Sequence, residues 1–318
     1  MKKFLTRFAI WIVIAFVLAL FADVMITVGL RKTDVRKYVV WNDIRRGDID
    51  ADLVVLGNSQ AWCSYNTYIM DSMLDLNSYN LGIDGHSLEF QLIRYETYQR
   101  FNTSPKVVLL NVCFFGTFYI MSDEQYEREQ FFPYVTDATL MKTVAKTKHI
   151  TWVDRNVPLY RYFGYRDEVE MGMSSFFGKT GFPDGGFHKG YRGNEYDWNS
   201  SGVLLDSVMS SSIDMRLADD LDRFAKNCCK EEVKLVFVKY PICYPVVERV
   251  ENLHQSDSIF EAISKKYNIP VLGYYYSDIT KDAANYYNYT HLNKKGSELF
   301  TLELCHDLDS LGITSVLQ

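Results

Sequence analysis

The chain has 318 residues, and 34 Lys and Arg against 40 Asp and Glu give a net charge of −6. Hydrophobic residues at 47% and charged residues at 23% are ordinary globular values, which excludes a disordered or collagen-like chain. Residues 1–37 hold seven Lys/Arg and two Asp, so the rest of the chain carries −11, a poor electrostatic partner for nucleic acid. Six cysteines are too few for a disulfide scaffold, and no CxxC pair points to zinc or redox work.

From Phe8 to Ala22 no side chain is polar, and the apolar character continues past Asp23 to Leu30. At about 1.5 Å per residue that stretch reaches roughly 34 Å, enough for a hydrocarbon core of about 30 Å. Lys2, Lys3 and Arg7 precede it, and Arg31, Lys32, Arg36 and Lys37 follow, so flanking charge does not set its orientation. Residues 1–30 therefore read as a membrane anchor or a signal segment. The anchor accounts better for the apolar residues beyond Asp23, because Leu20 and Ala22 make a mediocre cleavage site.

Beyond residue 50, short apolar runs alternate with amphipathic stretches, the pattern of a parallel α/β sheet. Strands are predicted at Asp52–Leu56, Ser78–Leu81, Lys106–Cys113, Val233–Lys239 and Ile269–Gly273. Helices are predicted from Gln60, over Leu88–Arg100, Ile213–Cys229 and Ser256–Tyr267, and from Lys294 to Leu308. Five strands with helical crossovers predict a flavodoxin-like, doubly wound α/β fold, whose sites lie at the carboxyl ends of the strands. The expected organisation is a single domain over 31–318, interrupted by an insertion at about 114–212, since crossovers are normally far shorter. Residues 164–202 hold nine of the 18 glycines with many aromatics, as a substrate lid, a sugar platform or a self-packed surface subdomain would. There is no internal repeat, heptad run, P-loop or dinucleotide glycine fingerprint.

Three segments fall at or just beyond the strand ends. Gly57-Asn58-Ser59-Gln60 follows the first strand and sets a serine at a strand-to-helix turn, where N–H groups favour a developing oxyanion; a plain helix cap is the simpler job for that serine. Asn80-Leu81-Gly82-Ile83-Asp84-Gly85-His86-Ser87 follows the second, with glycines that permit a tight turn. Asn288-Tyr289-Thr290-His291-Leu292-Asn293-Lys294-Lys295-Gly296 leads into the last helix and sets His291 where a general base would face the strand ends. His149, His188, His254 and His306 lack metal-like spacing, and no metal or cofactor is expected.

In order and spacing the three segments resemble the SGNH/GDSL hydrolase superfamily, over residues 51–308 apart from the insertion. The resemblance is strongest to its membrane-anchored branch, which includes the D-alanyl transfer and alginate O-acetyltransfer proteins. It implies Ser59 as nucleophile, His291 as base, and the N–H groups of Ser59 and Gly85 as an oxyanion hole. The family's acid position, three before the histidine, is Asn288 here; Asp278 and Asp282 lie in the same loop without the family spacing. The family's Gly-x-Asn-Asp after the third strand has no counterpart in Asn111-Val112-Cys113-Phe114-Phe115-Gly116. Asn58, His86 and Asn111 are candidate substrate-binding residues. The implied function is an extracytoplasmic serine esterase or O-acyltransferase, anchored in the membrane and acting on acyl, chiefly acetyl, esters of cell-envelope polysaccharide. A carbohydrate or acyl-ester substrate and an acyl-carrying membrane protein are the implied partners. The alternative is a catalytically silent subunit of the same fold that binds or assembles polysaccharide.

Overall fold

The computed structural model describes residues 1–114, 116–118, 127–144, 150–179, 187–198, 210 and 212–313. His149 falls outside them. In chain order the elements are α1 (Lys2–Leu30), α2 (Arg36–Arg46), β1 (Leu53–Leu56), α3 (Ser59–Ser64), α4 (Thr67–Leu74), β2 (Ser78–Asn80), α5 (Leu88–Phe101), β3 (Val107–Val112), α6 (Ala138–Val144), α7 (Trp152–Asn156) and α8 (Arg166–Phe176). They continue with β4 (Phe187–His188), β5 (Tyr191–Arg192), α9 (Met215–Lys230), β6 (Lys234–Lys239), α10 (Tyr244–Val247), α11 (Leu253–Tyr267), β7 (Val271–Gly273), β8 (Tyr286–Asn288), β9 (His291–Leu292) and α12 (Lys294–Ser310). Contacts divide the chain into two units, 1–43 with 126–185 and 44–125 with 186–318.

The second unit is an α/β sandwich. Its five-stranded sheet has the order β2-β1-β3-β6-β7 with every pair parallel, the doubly wound arrangement expected from the sequence. Strands β1 and β3 read Leu-Val-Val-Leu and Val-Val-Leu-Leu-Asn-Val and are buried throughout, as central parallel strands must be when helices cover both faces. β7 starts at Val271, two residues later than predicted, because Pro270 has no N–H to give the ladder; its carbonyl still accepts from Phe237 N at 2.9 Å. A core of Leu53, Val55, Leu109, Val236, Val238, Phe300 and Leu304 joins the sheet to α12. Phe300 gathers Tyr65, Tyr240 and Tyr274 in edge-on ring contacts of 5.1, 5.8 and 5.1 Å between centroids.

The first unit is helical. Large exposed hydrophobics run along α1 from Phe4 to Val24, whereas Asp23, Met25, Ile26 and Leu30 are buried. The helix is unbroken from Lys2 to Leu30, long and apolar enough to span a membrane or to serve as a signal sequence. Its carboxyl third packs on α8 at glycines: a Cβ on Gly29 would lie 1.7 Å from the Gly172 carbonyl oxygen, and one on Gly172 would lie 2.7 Å from that of Ile26. Asn42 closes the unit by donating to the carbonyls of Leu30 and Thr33 at 3.0 and 2.9 Å and accepting from Tyr134 OH at 2.5 Å. Residues 164–179, part of the glycine- and aromatic-rich stretch, thus include a helix of this unit. Residues 187–192 form the β4–β5 hairpin of the other. In that hairpin Lys189 is bonded to Asp71 and Asn77 at 2.5 and 2.6 Å.

One buried side chain sets the turn after β2. Asn80 donates to the carbonyls of Ala61 and Tyr65 at 2.8 and 3.2 Å and accepts from Gly82 N at 2.9 Å. Asn80→Ala would strand these groups away from water at a cost of about 3 kcal/mol. A thermal melt of the full-length protein in detergent is expected to show the second unit unfolding about 6–12 °C lower.

Candidate active site

The site is built at the carboxyl ends of β1 and β3 and on the β8–β9 hairpin. At Gly57 an added Cβ would lie 2.5 Å from the Ala61 Cβ and 2.7 Å from that of Asn111, so no side chain fits there. The chain therefore turns directly into α3. Asn58 caps that helix, its oxygen accepting from Gln60 N at 3.1 Å, and Ser59 is the first helical residue. The Ile83 N–H donates to the Gly57 carbonyl at 2.9 Å, which ties the β2 turn to the serine turn. Gly85 in that turn has φ +65°, a left-handed conformation that glycine adopts without cost.

His291 arrives on the hairpin. β8 and β9 pair antiparallel with Asn288 opposite His291, leaving Tyr289 and Thr290 as the turn. The Leu292 N–H donates to Tyr240 OH at 2.9 Å, and Tyr240 also meets Ser64 Oγ at 2.8 Å, so one buried tyrosine couples the hairpin to α3. Asn293 caps α12 by accepting from Gly296 N at 2.9 Å. A Cβ on Gly296 would lie 2.1 Å from the Asn285 carbonyl oxygen, which explains the glycine of the His-Leu-Asn-x-x-Gly run.

These elements bring Ser59 Oγ to 2.7 Å from His291 Nε2. On the far side of the ring, Asn288 Oδ1 lies 3.0 Å from Nδ1. The same Asn288 atom accepts from the Thr290 backbone N–H at 3.0 Å and from its hydroxyl at 3.2 Å. A backbone N–H can only donate, so the Asn288 atom facing the ring is the oxygen. Nδ1 must then carry the imidazole proton, which leaves the Nε2 lone pair for the Ser59 hydroxyl. The Thr290 hydroxyl, 2.9 Å from Nδ1, shares that proton. The Tyr287 ring stacks on the imidazole with centroids 5.3 Å apart. Burial pulls the His291 pKa down to about 4, against the Asp84 carboxylate, which pulls it up. Asp84 immediately precedes Gly85, so the β2 turn lies within electrostatic reach of the imidazole.

The other sequence candidates take supporting positions. Asn111 is buried, accepts from Tyr65 OH at 2.9 Å and donates to Asn58 Oδ1 at 3.5 Å, so it braces the serine turn. Asn58 is half-buried with its amide nitrogen 3.6 Å from Cys113 Sγ. A Cβ on Gly116 would fall 2.2 Å from that nitrogen, so the loop after β3 closes down on Asn58. His86 is buried, with Nδ1 2.5 Å from the Asp84 carbonyl oxygen and its ring edge-on to Phe90. Asp278 pairs with Lys281 at 2.6 Å, and Asp282 caps Ala284 N at 2.9 Å, so both loop carboxylates are engaged away from the imidazole.

Three contributors carried no sequence signal of their own. Thr290 fixes the Asn288 amide, Tyr240 anchors the hairpin, and Gln60 Nε2 donates to the Thr290 carbonyl at 3.1 Å. Only the sequence neighbourhood of His291 hinted at Thr290. The other two act across more than 50 residues of chain.

No family profile matches the sequence, and no curated protein matches it. Among solved structures, the chain is similar to a candidate acylhydrolase from Bacteroides fragilis, with 11% identity, a TM-score of 0.39, and coverage of 84% of this chain and 88% of that one. It is also similar to a GDSL-like lipase from Bacteroides thetaiotaomicron, with 10% identity, a TM-score of 0.37, and coverage of 81% and 88%.

Proposed function

We propose that the protein is a serine esterase or O-acyltransferase with Ser59 as nucleophile and His291 as general base. The observation that carries this reading is the 2.7 Å contact between Ser59 Oγ and His291 Nε2, with the opposite ring nitrogen held by Asn288. Ser59 Oγ attacks the ester carbonyl while His291 Nε2 takes its proton. The N–H groups of Ser59 and Gly85 receive the oxyanion. Collapse of the tetrahedral intermediate expels the alcohol, which takes the proton back from His291, and leaves an acyl-serine. Water or a carbohydrate hydroxyl, deprotonated in turn by His291, resolves it. The sequence resemblance supplies the rest of the proposal: acyl esters, chiefly acetyl, on cell-envelope polysaccharide, on the outer side of a membrane anchored by α1, with an acyl-carrying membrane protein as donor in the transferase case.

Asn288 defines the limits of this chemistry. An amide oxygen fixes the tautomer but brings no charge to offset the imidazolium formed in the transition state. Burial, which pulls the His291 pKa down to about 4, works against that cation. The same observation favours the second reading, a silent subunit that retains the fold and binds polysaccharide.

Two measurements on the full-length protein separate the readings. The base works only when neutral, and its pKa is depressed, so kcat/KM for a small acetyl ester is expected to hold as pH falls through 6.5 and to drop only near pH 4. Asn288→Asp places a carboxylate against Nδ1, stabilises the cation and moves that acid limb upward. It is also expected to raise the plateau rate, with about 10⁴ as the ceiling set by the reverse change in a Ser-His-Asp triad. Ser59→Ala in that background is expected to abolish the gain. Turnover that survives Ser59→Ala would name the wrong nucleophile. Folded protein inactive on acetyl, butyryl and lactone substrates, in wild type and Asn288→Asp alike, would favour the silent subunit.

A further inference from the structure

The helical unit exposes large apolar side chains away from α1. Phe163 is 88% exposed, Trp152 72% and Tyr160 53%, with Val157 also open. All four lie within 152–163, a segment fastened to one level of α1 by Asp23. The Asp23 carboxylate accepts from Leu159 N at 2.8 Å and forms a buried ion pair with Arg161. Arg161 also reaches Thr27 Oγ1 at 2.8 Å, and Tyr162 OH meets the same oxygen at 2.9 Å. Leu159 adopts a left-handed conformation, φ 63°, that a leucine takes only under constraint. The turn is thus specified, and it turns Tyr160 and Phe163 outward.

Depth along α1 gives this patch a meaning. The exposed hydrophobics of α1 run from Phe4 to Val24, with Thr6 and Arg7 near the amino end, and span about 30 Å at the helical rise, the thickness of a bilayer's hydrocarbon core. Asp23 sits at the end of that stretch, where hydrocarbon gives way to headgroups. Tyr160 lies between the two pinned residues, and Phe163 is two residues from Arg161, about 7 Å at full extension. Arg161 also donates to the Asp154 carbonyl at 3.3 Å, two residues from Trp152. The exposed aromatics therefore lie at the depth where Trp and Tyr settle in membrane interfaces. Resting on the reading of α1 as a membrane span, we propose that residues 152–163 form a foot that inserts Trp152, Tyr160 and Phe163 into the lipid interface beside the helix. The occupant is lipid, because the bonds from Asp23 to Leu159 and Arg161 hold the segment beside the end of the exposed stretch of α1. Two anchoring points fix the unit's tilt and rotation on the membrane, which a single helix does not.

The test uses full-length protein in vesicles of phosphatidylcholine and phosphatidylglycerol, in a Cys229→Ser background, since Cys229 is the one exposed native thiol among the described cysteines. Single cysteines replacing Phe16, Trp152 or Phe163 carry a polarity-sensitive fluorophore. Loss of emission is read against nitroxide lipids, shallow or deep, and against aqueous iodide. The label at 16 is expected to be quenched by the deep nitroxide. Those at 152 and 163 are expected to be quenched by the shallow one, and all three to be shielded from iodide. Quenching at 16 with iodide-accessible labels at 152 and 163 would overturn the foot and leave the anchor standing. Labels at 152 and 163 shielded from iodide yet untouched by nitroxide lipid would overturn it in favour of a protein partner or second copy. A label at 16 that no lipid quenches would remove the membrane span, and the foot with it.

Discussion

The Asn288 side-chain oxygen is a single acceptor with three donors around it, and the chemistry of the pocket depends on that fact. The Thr290 backbone N–H settles which amide atom faces the ring, the ring's tautomer follows, and the Ser59 hydroxyl is left with a lone pair to meet. None of this needs a negative charge. The β8–β9 hairpin supplies the geometry by setting Asn288 opposite His291 across a two-residue turn, and Tyr240 holds the hairpin against α3. An aspartate in that position would keep the geometry and add electrostatic support for the imidazolium. The pocket as built fixes the imidazole in place and leaves its protonated form poorly stabilised.

That balance places the protein between two functions. A catalytic pair needs its base neutral at rest and tolerably stable when protonated; burial secures the first and opposes the second. The Asp84 carboxylate provides the opposing pull, at longer range than a hydrogen bond and from the turn that also carries Gly85.

The sheet was legible because central parallel strands leave little room for ambiguity. Runs such as Leu53–Leu56 and Val107–Val112 are buried on both faces, and the glycines that follow mark the strand ends. His291 and Asn288 were legible through the family resemblance, whose acid position lies three before the histidine, a spacing that the hairpin converts into a side-by-side pair. Other features depend on partners distant in sequence. Asn111 reads as a candidate for substrate binding, and only the parallel register of β1 and β3 reveals that it braces Asn58. His86 reads as a turn residue that could meet substrate and is buried against Phe90. The helical unit is hardest to see, since it joins 1–43 to 126–185, and its central contact is between two glycines, Gly29 and Gly172, that give no hydrophobic pattern to follow. Asp23 reads as a blemish in an apolar run until Arg161 and Leu159 supply its partners.

A serine whose proton is drawn by a neutral imidazole is nucleophilic enough to be phosphonylated. The most direct measurement is therefore reaction of the full-length protein with a fluorophosphonate, followed by peptide mass spectrometry. An adduct on Ser59 that is lost in His291→Ala, with the fold retained by circular dichroism, is the predicted result. Folded wild-type protein without an adduct at Ser59, or with the label on another serine, would contradict Ser59 and His291 as a reactive pair.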